Sequence, residues 1–218
     1  MTLPPDTSLA STIVTDEQAK AVSSLGTFGA TAVTEAGNLA RWIGRIIGTV
    51  PEDAIGLVIG DPLHAVRTLT AGWYDSKVTE ILERREAKVQ PVSLSVALPL
   101  IRGAYDESRE GLRDMWAALI AAAMDPDRAG RVRLSFIETL KQFDPLDAIT
   151  LRELHLVDNA PNRKAVGLIK DRLSVSEDDA IVSIQNLKRL ECLWSGSGSV
   201  ADVQLTPYGR SLLRAASD

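Results

Sequence analysis

The chain has 218 residues, 45% hydrophobic and 24% charged, which is enough for a packed core and too apolar for a disordered polyelectrolyte. Only 5% of the residues are aromatic while alanine and leucine abound, a balance that favours helices over a β-sandwich. A formal net charge of −5 argues against whole-molecule attraction to nucleic acid, and a lone cysteine, Cys192, excludes an internal disulfide and points to a reducing cytoplasm.

Residues 1–14 contain Pro4, Pro5 and several Ser and Thr and read as a flexible arm. They lack a basic stretch followed by an apolar one, so no export signal is expected in them. From Thr15 to Val50, apolar residues step by three and four (Val22, Leu25, Phe28, Ala32, Ala36, Leu39, Ile43, Ile46), which predicts one face of a long helix. Small residues recur on the same segment at Ala36, Ala40, Gly44 and Gly48, and GLVIG adds Gly56 and Gly60. Such spacing lets helices approach closely. The first reading is a tight helical hairpin in a core or a dimer; the other is an amphipathic element lying on a membrane surface. Glu35, Arg41 and Arg45 oppose a membrane span.

The next helix is expected to start near Asp75, an N-cap type, and to bury Val78, Ile81 and Leu82, with Glu80 and Arg84 paired one turn apart. After Pro91, SLSVALPLIRGAY reads as a short apolar helix or an extended piece around Pro99. Asp106 is placed to cap the helix LRDMWAALIAAAM, whose Leu112, Met115, Trp116, Leu119, Ile120 and Ala123 form a core stripe. Asp125 and Pro126 close that helix, Asp125 by ordering the turn through backbone hydrogen bonds, while Asp114 falls off the stripe. A helix from Ser135, with Glu138 completing a capping box, turns Phe136, Ile137 and Leu140 inward.

The last third predicts three helices (DPLDAITLRELHLV, RKAVGLIKDRL and SEDDAIVSIQNLKRLECL), then strand, Gly/Ser turn, strand and a closing helix capped by Thr206 with Pro207 in its first turn. That order is the order of a winged helix. The fold expected is therefore mainly α: a helical N-terminal and central core with a C-terminal winged-helix-like module bearing a short β-hairpin. The expected units are the arm 1–14, a Gly/Ala-rich helical segment 15–90, a central helical core 91–143 and the winged-helix-like part 144–218.

No chemistry emerges from the motifs. His64 and His155 stand far apart without Cys or a second His at ligand spacing, so no metal site is expected. There is no phosphate loop, no nucleophile elbow and no dinucleotide fingerprint. Cys192, between Leu190 and Leu193, reads as a packed thiol. The third helix of the winged-helix-like part opens with Glu177, Asp178 and Asp179, anions that phosphates repel. Residues 144–218 hold eleven acidic and nine basic side chains. DNA binding, with Lys188, Arg189 and Arg210 as the contact candidates, is therefore the second choice after protein recognition.

Three stretches, PVSLSVALPLIRGA, LRDMWAALIAAAMDP and VRLSFIETLKQFDPLDA, together with NLKRL and LTPYG near the end, resemble in order and spacing the abortive-infection alpha family. The motif residues are Leu112, Asp114, Trp116, Leu119, Asp125, Pro126, Phe136, Ile137 and Leu140. This chain has Ala118 and Ala122 where the family usually carries asparagine, and Glu191-Cys192 where a glycine is usual after the NLxRL unit. The resemblance implies a bacterial, phage-defence-associated protein and brings no catalytic residues with it. The expectation is a non-enzymatic, cytoplasmic defence protein that works through a protein partner or self-association, with membrane contact when active as a further option. A winged-helix DNA-binding regulator and a membrane-perturbing effector acting through residues 15–60 are the alternatives. No cofactor, metal or small-molecule substrate is inferred.

Overall fold

The computed structural model describes residues 41–48, 64–157, 164–196, 198–200 and 202–217, with side chains of the first long helix described from Ala71 onward. The described residues are mainly helical, with a two-stranded antiparallel hairpin near the C-terminus. The arm 1–14, most of the small-residue segment and the candidates Ala36, Ala40, Gly56 and Gly60 lie outside them.

The segment 41–47 is helical and buries Trp42, Ile43, Ile46 and Ile47. It stops at Gly48, whose φ of +86° only glycine adopts freely, and a Cβ there would stand 2.8 Å from Pro91 Cγ. Of the predicted small-residue candidates, Gly48 thus serves a turn inside the chain. The amide of Val92 donates to Ile46 O at 2.7 Å, fastening this segment to the chain after Pro91.

Helix α1 (His64–Arg84) runs straight through Asp75, which corrects the expected start. Ala71, Tyr74, Val78, Ile81 and Leu82 are all buried, so the apolar stripe continues upstream of Asp75 and packing carries the helix with it. The Asp75 carboxylate takes a hydrogen bond from Arg45 Nη1 at 2.6 Å and caps nothing. Glu86 follows the helix in the left-handed region, φ 51°. Helix α2 (Leu94–Tyr105) resolves the second open choice as helix, with Pro99 inside it. Its buried face (Ala97, Leu100, Ile101, Gly103 and Ala104) supplies the packing that outweighs the lost backbone bond.

Helix α3 (Glu110–Met124) is the axis of the molecule. Asp106 ends α2 and does not begin α3; Arg109 holds the N-cap position, without a side-chain cap. Arg109 is engaged elsewhere, since its Nε and Nη2 each donate to Glu107 at 2.9 Å and its Nη1 reaches Asp144 Oδ1 at 3.2 Å. The expected one-sided stripe is too narrow: every residue from Met115 to Met124 is buried. Ala117, Ala118, Ala121 and Ala122 line the sides where α1, α2 and later helices come close, which only small side chains permit. A short 3-10 turn (Ala129–Arg131) follows, ordered as expected by Asp125, whose Oδ1 accepts the Asp127 amide at 3.0 Å.

Helix α4 (Leu134–Leu140) begins one residue before Ser135 and has no side-chain cap, so the expected capping box is absent; Arg133 is the N-cap. Phe136, Ile137 and Leu140 are buried as predicted. Helices α5 (Pro145–Leu156), α6 (Ala165–Leu173) and α7 (Glu177–Arg189) follow, then β1 (Leu193–Trp194), β2 (Gln204–Leu205) and α8 (Pro207–Ala215). In the hairpin Leu193 faces Leu205 and Trp194 faces Gln204. Thr206 caps α8 as predicted, its Oγ1 accepting the Gly209 amide at 2.9 Å.

One hydrophobic core joins Trp42 to Ala216, because α5 and α8 both pack on α3. Polar ties reinforce that junction. Tyr208 Oη on α8 donates to Ser135 O at 2.9 Å and lies 2.8 Å from Thr139 Oγ1, and its ring meets Phe136 edge-on at 5.2 Å.

Candidate functional site

The turn from α7 into the hairpin shows how the sequence builds the C-terminal end. The Cys192 amide donates to Leu187 O at 2.9 Å and the Glu191 amide to Lys188 O at 3.0 Å, a Schellman closure. Glu191 occupies its left-handed position, φ 59°, where glycine is the easy residue. The backbone therefore keeps the turn although the side chain is not the one such a turn favours. Cys192 beneath it is fully buried, and burial, with Asp147 and Glu191 nearby, pushes its thiol up to about 12. It is a packing group that resists ionisation.

Inside, Asp147 anchors α5 to α7. Its side chain is buried, with Oδ1 accepting from Ser183 Oγ at 2.7 Å and Oδ2 accepting from Asn186 Nδ2 at 2.6 Å and from the Asp144 amide at 2.8 Å. The outward face of α7 is thereby held in a fixed orientation. That face starts with exposed Glu177, Asp178 and Asp179 and continues to Val182, which is 63% exposed, and Gln185. On the hairpin, Trp194 is 51% exposed.

The predicted nucleic-acid contacts are engaged within the chain. Lys188 Nζ donates to Gly198 O at 3.1 Å, Arg189 Nη2 to Asn186 Oδ1 at 2.7 Å and Nη1 to Gln142 Oε1 at 3.1 Å, and Arg210 Nη1 to Leu205 O at 2.8 Å. Arg210 lies apart from the other two, in the lining of a cleft.

There it meets residues that the linear sequence does not connect. A cleft of about 540 Å³ opens where α1 and α3 meet α5 and α8. Its basic side chains are Lys77 and Arg84 of α1, Arg152 of α5, and Arg210 and Arg214 of α8, with His155 beside them. Asp114 is the one carboxylate in the lining, and Ile81, Met115 and Leu213 give it an apolar floor. Arg84 lies 3.5 Å from Glu80 Oε1 and Lys77 Nζ 3.2 Å from Glu80 Oε2, so that pair of cations is partly balanced from outside the cleft. Arg152 and Arg214 carry no such pairing among the described residues, and both are exposed. Behind them Arg85 donates to Ser217 O at 3.1 Å, and its guanidinium is held below the ordinary value by burial, with Arg128 and Arg84 adding to the effect.

Sequence reasoning missed this cleft. It placed Asp114 off the core stripe, weighed His155 as a metal ligand and named Arg210 for DNA, but did not bring them together. The available signal was the recurrence of basic residue types one turn apart on two helices, Arg152 with His155 and Arg210 with Arg214, which means nothing until both helices are known to face one space. Among the described residues no cluster of three or more His, Cys, Asp or Glu is placed to hold a metal ion, and no helix is long and apolar enough to cross a membrane.

The fold and these surfaces define a helical protein whose C-terminal hairpin module is packed onto a buried central helix. A family model described as abortive infection alpha matches residues 68–216, and the chain belongs to that family. The match spans the core motif, the cleft residues and the closing helix alike. Membership suggests a role in abortive infection, a form of phage defence. No curated protein and no solved structure matches the chain.

Proposed function

We propose that the protein is a non-enzymatic component of phage defence that works by recognising another protein through the outward face of α7 and the hairpin. One observation carries this reading: α7 presents three carboxylates at its start and an exposed Val182 in its middle. In a winged-helix reading of the module this is the helix that would enter a DNA groove, and phosphates would be repelled by its first turn. A protein surface with an apolar centre and a basic rim complements it better. The occupied hydrogen bonds of Lys188 and Arg189 favour the same choice.

The test is phage plating on cells expressing the full chain or a Val182→Asp/Trp194→Asp variant. Both side chains project from the surface, so the variant is expected to fold with unchanged melting temperature and to lose protection. Full protection by the folded variant would sink the protein-recognition reading. Submicromolar, salt-sensitive binding of duplex DNA, lost on Lys188→Glu/Arg189→Glu, would put the DNA reader in its place.

A further inference from the structure

The basic cleft points to a ligand that the protein-recognition reading does not use. We infer that the cleft between α1, α3, α5 and α8 is a binding site for a small, soluble phosphate ester of about nucleotide size. The chain as a whole carries a net charge of −5, yet this concavity collects five Lys and Arg side chains against Asp114 in its lining and Glu80 beside Lys77 and Arg84 outside it. Gathering like charges costs energy in the empty protein, so a random surface would not favour it. Four of the five are arginines from three different helices; the planar forks of Arg152 and Arg214 can match phosphate oxygens in pairs, while Arg84 and Arg210, each also engaged within the chain, add positive potential around them.

The volume favours a ligand larger than an inorganic ion. Clefts of roughly 300–1,000 Å³ are the usual seats of small organic ligands, and this one measures about 540 Å³. Its floor of Ile81, Met115 and Leu213 offers an apolar surface to the body of such a ligand, while Asp114 offers an acceptor to a hydroxyl or amino group on it. Arg152 and Arg214 are exposed and make no ion pair among the described residues, so their donors can turn to a ligand without breaking an internal contact. The site is also built across a junction. Lys77 and Arg84 belong to the helix packed on the near side of α3, whereas Arg152, Arg210 and Arg214 belong to the C-terminal end. A bound phosphate ester would join the two and stabilise their packing.

The experiment is titration calorimetry and thermal melting of the full-length protein at fixed ionic strength. ATP and GTP serve as nucleotide probes, beside sodium pyrophosphate, phosphatidylglycerol vesicles and a short DNA duplex. The expected result is saturable binding of at least one nucleotide, tighter than pyrophosphate, with a raised melting temperature. Arg152→Glu/Arg214→Glu should weaken that binding by more than about tenfold without lowering the ligand-free melting temperature, since the change relieves repulsion in the empty cleft. Arg102→Glu, at an exposed position outside the cleft, should leave binding as it is. The inference is overturned if neither nucleotide binds saturably, if the cleft variant binds as well as the parent, or if pyrophosphate, vesicles or DNA bind as tightly as the nucleotides.

Discussion

Gly103 on α2 lies directly against the indole of Trp116 on α3: a Cβ at Gly103 would come within 2.7 Å of Trp116 Cζ3 and 2.9 Å of Cζ2. The motif tryptophan therefore depends on a glycine thirteen positions earlier to seat its ring. Gly103→Ala should destabilise the protein by about 1–3 kcal/mol through overpacking, read as a lower urea midpoint. A second change, Trp116→Phe, should recover part of that loss in the double variant, because a smaller ring leaves space for the methyl group.

Asp147 joins Ser183, Asn186 and the Asp144 amide in one buried network. Asp147→Ala would remove the acceptor shared by three donors, of which Asn186 keeps its bond to Gln142 O, and a loss of about 3 kcal/mol is expected, measured by denaturant unfolding. Because the network fixes α7 against α5, loss of phage protection should accompany the loss of stability. Ser183→Ala, which removes only one of the donors, should cost far less.

Glu191 sits in the left-handed position of the closure after α7, φ 59°. Its side chain is exposed, so nothing is lost by removing it apart from backbone rigidity in the unfolded chain. Glu191→Gly should therefore raise stability by about 0.5–1 kcal/mol. A fall in the melting temperature of this variant would mean that the turn is not held as described.

The cap at α8 can be tested separately. Thr206 Oγ1 accepts the Gly209 amide at 2.9 Å and donates to Glu191 O at 2.6 Å, tying the closing helix back to the turn before the hairpin. Thr206→Ala should cost about 1 kcal/mol. Thr206→Ser, which keeps the hydroxyl, should restore most of it.

Cys192 yields the pH prediction. Burial raises its thiol to about 12, above its value in the unfolded chain. The folded state thus holds the proton more tightly, so this contribution to stability is fully present below the unfolded-state value and is lost as pH rises from there toward 12. Equilibrium unfolding between about pH 8 and 11 should show a decline that Cys192→Ala lacks. At neutral pH the native thiol should react with iodoacetamide only on the timescale of unfolding.

Much of the architecture was legible because it is local. Steps of three and four in apolar residues mark α3, Thr206-Pro207 marks the start of α8, and Asp125-Pro126 marks the end of α3. These features follow from backbone hydrogen bonding within a few residues, which the sequence states directly. The expectations that failed were also local, at Asp75, Asp106 and Ser135. At each, a residue able to cap a helix had a competing tertiary use or neighbour: Asp75 pairs with Arg45, Glu107 beside Asp106 binds Arg109, and the Ser135 carbonyl receives Tyr208.

Residue order thus dictates the helices, the hairpin and the family, since all three rest on short patterns read along the chain. Folding in three dimensions decides which faces meet. Burial of α3 on every side from Met115 onward follows only when α1, α2, α5 and α8 surround it, and no single helix pattern can say so. The cleft is the clearest case. Lys77, Arg152 and Arg214 share no segment, and their charges come together solely because the helices that carry them converge on one side of the buried axis. A helix repeats its face every turn whatever lies opposite, so the chemistry of a shared space belongs to the packing.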